Sequence, residues 1–151
     1  MHLRPYRPTD LPALLDLFYQ TVHTVCRRDY TAAQLDAWAP AAPDTAAWRE
    51  KLCRGTTLVA EEAGVILGFG TVLPDGYLDL LYVRRSHQRR GVGTALCDFL
   101  EFQYPATRLT VHASKTARPF FEHQGFRLLR PQQVMRQGQT LTNYIMEKEM
   151  C

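Results

Sequence analysis

Apolar residues recur at Leu11, Leu14, Leu15, Phe18, Val22 and Val25, a spacing that gathers them on one face of a helix. Thr9 or Asp10 can cap that helix, and Pro12 falls in its first turn, where a missing N–H is harmless. Ahead of it, Leu3 to Tyr6 reads as a short strand. Thr31 caps a second short helix that runs to Trp38 and stops before Pro40, and Asp44 or Thr45 opens a third through Trp48 and Leu52, ended by Gly55. From Thr56 the period changes. Thr56 to Glu61 and Val65 to Leu73 are apolar, β-branched runs joined near Ala63-Gly64, the pattern of a hairpin. Pro74-Asp75-Gly76 turns the chain into a strand carrying Leu78, Leu80, Leu81 and Val83. A helix over Thr94 to Gln103 and a strand over Arg108 to His112 follow. Ser114 to His123 reads as a helix that Pro119 should end or kink. Phe126 to Leu129 and Leu141 to Lys148 are strands around a Gly138 turn. The order β-ααα-βββ-α-β-α-ββ predicts an α/β (α+β) fold, a mixed sheet of about seven strands with helices on both faces.

Composition narrows the class without naming a function. A chain of 151 residues suffices for one domain that buries roughly 68–70% of its extended-chain surface. No repeat, low-complexity tract or linker divides it, so residues 1–151 are expected to form one domain. Apolar residues make up 46% and charged ones 22%, which fits a globular chain and not a disordered one. No apolar run approaches the ~20 residues of a membrane helix, so no membrane association is expected. The opening Met1-His2-Leu3-Arg4-Pro5 has no apolar signal core, which points to the cytoplasm. Cys26, Cys53, Cys97 and Cys151 form no C-x-x-C pair, and no spacing suits a metal, so none is expected. They read as reduced thiols. A net charge of +3 does not call for nucleic acid as a partner.

Charge is concentrated at one place. Arg84, Arg85, His87, Arg89 and Arg90 follow the apolar strand and lead into Gly91-Val92-Gly93 and a helix. A strand, a glycine turn and a helix start make an anion site from backbone alone. Free N–H groups point outward at the helix's positive end, and glycine lets a phosphate approach them. A phosphorylated ligand is expected there. A Rossmann turn is excluded, because it needs G-x-G-x-x-G and Leu96 stands where the third glycine belongs.

Two segments together resemble the GNAT superfamily of acyl-CoA-dependent N-acetyltransferases. Gln88-Arg89-Arg90-Gly91-Val92-Gly93, after the triplet Leu81-Tyr82-Val83, is similar to the family's Q/R-x-x-G-x-G/A pyrophosphate loop. Ser114-Lys115-Thr116-Ala117-Arg118-Pro119-Phe120-Phe121 with Gly125-Phe126 is similar to its N-x-x-A-x-x-L-Y…G-F segment. Arg4-Pro5 and Met146-Glu147-Lys148 take part too, so most of the chain is covered. The resemblance implies a mostly antiparallel sheet whose central strands splay after Val83. It implies acetyl-CoA as co-substrate, with Gln88, Arg89, Arg90, Gly91, Val92, Gly93 and Thr94 around the pyrophosphate. Leu81 and Val83 would pair with the pantetheine arm, and Ser114, Arg118 and Phe121 would contact it. The Val83 N–H would hold the thioester oxygen.

Acceptor chemistry follows in outline. A primary amine near pKa ~10.4 is free base for only about one part in 10³ at neutral pH, so a base or water relay is needed. Asp79, on the strand lining the site, is the first candidate, with His112 on the next strand behind it. Phe121 stands where the family frequently has the tyrosine that protonates the departing thiolate, which leaves Tyr82 and Tyr144 as the available phenols. His23, Tyr30 and Trp38, with Gln34, are the candidate acceptor-binding residues. The expected function is acetyl transfer to a primary amine of a small molecule or peptide by direct attack through a tetrahedral intermediate, in a monomer or homodimer. The alternative is a non-catalytic acyl-CoA-binding module.

Overall fold

The computed structural model describes residues 1–104 and 107–150. Its seven strands form one sheet in the order β1-β2-β3-β4-β5-β7-β6. These are β1 His2–Pro5, β2 Thr56–Glu62, β3 Val65–Val72, β4 Tyr77–Val83, β5 Arg108–Ser114, β6 Arg127–Arg136 and β7 Gln139–Glu149. Every neighbouring pair is antiparallel except β4 and β5. Helices α1 Leu11–Val25, α2 Ala32–Trp38 and α3 Thr45–Cys53 cover one face, and α4 Val92–Gln103 and α5 Arg118–His123 the other. The mixed, mostly antiparallel sheet with two helical faces is the architecture read from the sequence.

Each face closes over its own core. Leu14, Leu17, Phe18 and Val22 of α1 meet Val59, Phe69 and Leu80 on one side. Leu96 and Leu100 of α4 meet Leu58, Leu67, Leu109 and Met146 on the other. Thr31 and Gln34 form a capping box on α2, and Asp44 caps α3 by accepting from the Ala47 N–H. Asp10 does not cap α1. A short 3₁₀ turn, Pro8–Asp10, precedes the helix, and the Asp10 carboxylate accepts from the two terminal guanidinium nitrogens of buried Arg4 at 2.9 Å.

Three local readings are corrected. Ser114 belongs to the end of β5, and the helix after it begins only at Arg118. Pro119 therefore lies in the first turn of α5 and starts the helix instead of breaking it. The closing strands are longer than their apolar cores suggest, because β6 and β7 pair from Arg127↔Glu147 out to Arg136↔Gln139 as an edge hairpin. The separation of the central strands also begins earlier than Val83. Strands β4 and β5 pair only at Tyr77↔Thr110 and Leu78↔Val111.

The cause is visible one strand over. Thr71 pairs with Leu80 and Val72 with Leu78, so Asp79 is an extra residue on β4, a β-bulge. A bulge bends its strand and increases its twist, and here it turns Asp79 to Val83 away from β5.

Candidate active site

The opened edge of β4 carries unpaired backbone. The Arg84 N–H donates to the Leu67 carbonyl of β3 at 2.7 Å. By strand alternation the N–H groups of Val83 and Leu81 face the opposite edge, into the gap beside β5. The Val83 carbonyl is held by two side chains, Thr21 Oγ1 of α1 at 3.0 Å and Gln88 Nε2 at 2.7 Å. Those donors replace a neighbouring strand and leave the edge N–H groups free.

Past Val83 the chain makes a 3₁₀ turn, Arg85–His87, and a bend with Arg89 (φ 61°) and Gly91 (φ 84°) in the left-handed region. Gly91 is the N-cap of α4. The first helical hydrogen bond runs from Ala95 N–H to the Gly91 carbonyl, so the amides of Val92, Gly93 and Thr94 lie outside the helix ladder. A Cβ at Gly91 would meet nothing within 4 Å. The positive φ therefore demands glycine there, and the space before the amides is open. At Gly93 the reason is packing, since a Cβ would stand 3.2 Å from the Phe120 ring. Open space before free amides at a helix start fits a diphosphate.

The bend and the gap belong to one cleft of about 1040 Å³, lined among others by Leu81, Val83, Gln88, Arg89, Gly91, Gly93, Thr94, Ser114 and Phe121. A second cavity of about 470 Å³ lies between α2, α3 and the sheet. Trp38, Asp79, Tyr82, His112 and Ser114 line both, so the two spaces meet at these residues. The bulge places Asp79 there. Its side chain is 12% exposed, Lys51 Nζ stands 4.0 Å from Oδ1, and buried Oδ2 has no partner.

Around the junction, Tyr82 packs edge-on to Phe18 with ring centroids 4.9 Å apart, and burial pushes its phenol up and keeps it protonated. His112 makes an edge contact with Tyr77 and lies 3.2 Å from Gln132 through Nδ1. Partial burial, with Arg130 and Arg136 nearby, pulls its pKa down, favouring the neutral imidazole. Burial pushes the Tyr30 phenol up to about 12.

Several residues singled out from the sequence stand elsewhere. The His23 Nε2 contacts the Ala39 carbonyl at 2.8 Å, tying α1 to the end of α2, and lines neither cavity. Arg118 stacks 4.6 Å over the Tyr144 ring, and both lie outside the two cavities. Tyr144 follows Asn143 on β7, and alternation turns its ring to the α5 face. Arg90 is exposed beyond the cleft, and the Val92 side chain is buried in the core, leaving only its amide at the bend. Arg84 reaches back to the Ile66 carbonyl.

Others serve a second purpose. The Gln88 side chain holds the strand end, and Ser114 Oγ accepts from the Ala117 N–H. The Tyr30 ring lines the smaller cavity, but its hydroxyl donates to the Thr142 carbonyl and accepts from the Lys115 N–H.

Sequence reasoning missed Lys51, Tyr77, Arg136 and Asn143 in the smaller cavity and Thr21 and Cys26 in the larger. Thr21 had a signal, a hydroxyl buried among the apolar positions of α1. Burial pushes the Cys26 thiol up to about 11 and Cys97 up to about 12, so both are neutral. Cys53 is exposed, and Cys151 lies outside the described residues. Among the described residues no three His, Cys, Asp or Glu side chains gather as a metal site, and no helix is long and apolar enough to cross a membrane.

Comparison with known proteins bears on this geometry. The profile of the acetyltransferase (GNAT) domain matches residues 26–148. The chain is 35% identical to the uncharacterized N-acetyltransferase YafP of Escherichia coli (strain K12), over 97% of this chain and 94% of that protein. It is 26% identical to the peptidyl-lysine N-acetyltransferase YiaC of the same organism, over 84% of each. A crystal structure from Rhodopseudomonas palustris, described as a GCN5-related N-acetyltransferase, aminotransferase class II, superposes with a TM-score of 0.95 at 35% identity. That match covers 99% of this chain and 95% of the other.

Proposed function

The chain belongs to the GNAT family of acetyl-CoA-dependent N-acetyltransferases, and on that premise we propose that it moves an acetyl group to a primary amine by direct attack at the junction of its two cavities. The observation that carries this reading is the position of Asp79. A carboxylate with one buried, partnerless oxygen stands between a cleft suited to the coenzyme and a separate cavity suited to an acceptor.

The amides of the Gly91 bend hold the diphosphate, with Arg89 beside them. Leu81 and Val83 offer their free N–H groups to the pantetheine arm in place of a strand partner. The Val83 N–H then donates to the thioester oxygen as charge builds on it, and such a donor contributes about 10²–10³ in rate. Asp79 receives the proton that the amine loses, directly or through a water, with neutral His112 beside it on β5. Tyr82 brings the one phenol that lines both cavities. The coenzyme thiol, with a pKa of ~8.5, is in any case a competent leaving group near neutrality.

Isothermal titration tests the coenzyme half. Acetyl-CoA should bind at about tens of micromolar or tighter, within the usual range for enzyme substrates. A thiol-release screen across amino acids, polyamines, aminoglycosides and peptides tests the transfer half. Coenzyme binding without thiol release from any amine would reduce the protein to a binding module.

A further inference from the structure

The smaller cavity holds charges that acetyl transfer to a simple amine does not require. Holding and deprotonating an amine calls for a carboxylate and apolar walls. This cavity also carries two cations, Lys51 from α3 and Arg136 from the tip of the β6–β7 hairpin, while its second carboxylate, Asp44, is engaged in capping α3. Lys51 Nζ lies 4.0 Å from Asp79 Oδ1 and 5.7 Å from the centroid of the Trp48 ring. A carboxylate beside an indole face is the setting an acceptor ammonium would take, and the chain's own amine occupies it. Two acceptor oxygens of this cavity, Asp79 Oδ2 and Asn143 Oδ1, are buried without a donor. A buried acceptor left unpaired is unfavourable, so both are open to N–H or O–H groups from a molecule in the cavity.

We propose that the acceptor is a small zwitterionic amine, carrying an acidic group besides the nitrogen that reacts. Its ammonium displaces Lys51 from Asp79 and supplies the missing donors. Its acidic group pairs with the released Lys51 and with Arg136. A polyamine would bring a second cation against these two, and a plain monoamine would leave displaced Lys51 without a counter-ion. A cavity of about 470 Å³ walled by Trp38 and Trp48 fits a small molecule with a flat or apolar body. The assignment rests on the acetyl-transfer reading above.

The chemistry balances. The nitrogen–carbon bond forms, the carbon–sulfur bond breaks and its electron pair leaves on sulfur. The ammonium sheds two protons, one to Asp79 and one to the thiolate. The product has lost its cation, Asp79 passes its proton to solvent as the acetylated acid departs, and Lys51 then pairs with the carboxylate again.

The test is thiol release with matched pairs that share an amine and differ in the acid: phenylalanine against phenethylamine and lysine against cadaverine, with spermidine as the polyamine. The zwitterion should be preferred in kcat/KM by about tenfold or more, the scale of one hydrogen-bonded charge pair. Lys51→Met and Arg136→Gln should narrow that ratio by raising KM for the acid-bearing partner, while titrated acetyl-CoA affinity reports that the fold is intact. Preference for the decarboxylated amines or for spermidine overturns the assignment, as does an unchanged ratio in both variants. In those outcomes the acetyl-transfer reading survives. Thiol release from no amine at all, with the coenzyme still bound, sinks both.

Discussion

Asp79 owes its position to one extra residue in β4. Asp79→Asn keeps the shape and removes the proton acceptor, so kcat should fall by about 10²–10⁴. Titrated acetyl-CoA affinity should stay level, because Asp79 Oδ1 is turned to Lys51 in the smaller cavity, and the diphosphate is expected at the Gly91 bend. Equal rates for the two proteins would assign the base elsewhere. Gly91 is constrained differently. With φ at 84° and open space ahead, Gly91→Asp introduces backbone strain and a negative charge where a diphosphate is expected. Coenzyme binding should weaken by at least the tenfold that one charge contact is worth, on the order of 1.4 kcal/mol, while far-UV circular dichroism stays native. Unaltered affinity in that variant would move the diphosphate away from the bend. At this scale the left-handed turn at Gly91 was legible, since φ is a property of a short segment, whereas Gly93 answers to the Phe120 ring packed against it. His23, Arg118 and Tyr144 were not placed correctly, because which face of an element a polar side chain takes depends on what packs against it.

Among the elements, the end of β4 depends on side chains from two others. Thr21 of α1 and Gln88 of the loop both donate to the Val83 carbonyl. Gln88→Ala should cost about 0.5–1.5 kcal/mol in urea unfolding and raise KM for acetyl-CoA. A loss of stability with unchanged KM would leave Gln88 no part in shaping the cleft. The other joint is the Arg4–Asp10 pair between β1 and the start of α1, with Glu61 3.1 Å from Arg4. The bond from Arg4 holds the Asp10 carboxyl below its ordinary value. From that depressed pKa up to the unfolded value near ~3.9, the unfolded chain binds more protons than the native one. Stability from this pair is therefore complete above that value and is lost as pH falls through the folded pKa. Asp10→Asn should cost about 3–5 kcal/mol at neutral pH and flatten the acid limb of the stability curve. An acid limb identical to that of the parent would show that other carboxylates set it. Helices and strands were legible from period and caps; the bulge, Pro119 at the start of a helix and the full β6–β7 hairpin were not, because each is fixed by the partner strand or the preceding turn.

For the molecule as a whole, a ligand that binds only the native state raises stability by mass action. At a hundredfold excess over Kd, acetyl-CoA should add about 2.7 kcal/mol, which for a chain of this size raises Tm by roughly 5–10 °C. The shift should fall to about half or less with Gly91→Asp at the same coenzyme concentration. An equal shift in that variant would place the binding surface outside the bend.

Local order was written in the chain: element type from the hydrophobic period, caps and turns from Thr31, Asp44 and the glycines, and the bend with free amides from a strand, a glycine turn and a helix in succession. Each of these depends on residues within a few positions of one another, so linear pattern carries it. The smaller cavity was not legible. It is assembled from α2, α3, β4, β5 and the β6–β7 hairpin, whose residues from Trp38 to Asn143 become neighbours only when the sheet closes. Strand pairing alone decided where β4 departs from β5, and with it where the Asp79 carboxylate stands at the meeting of the two cavities.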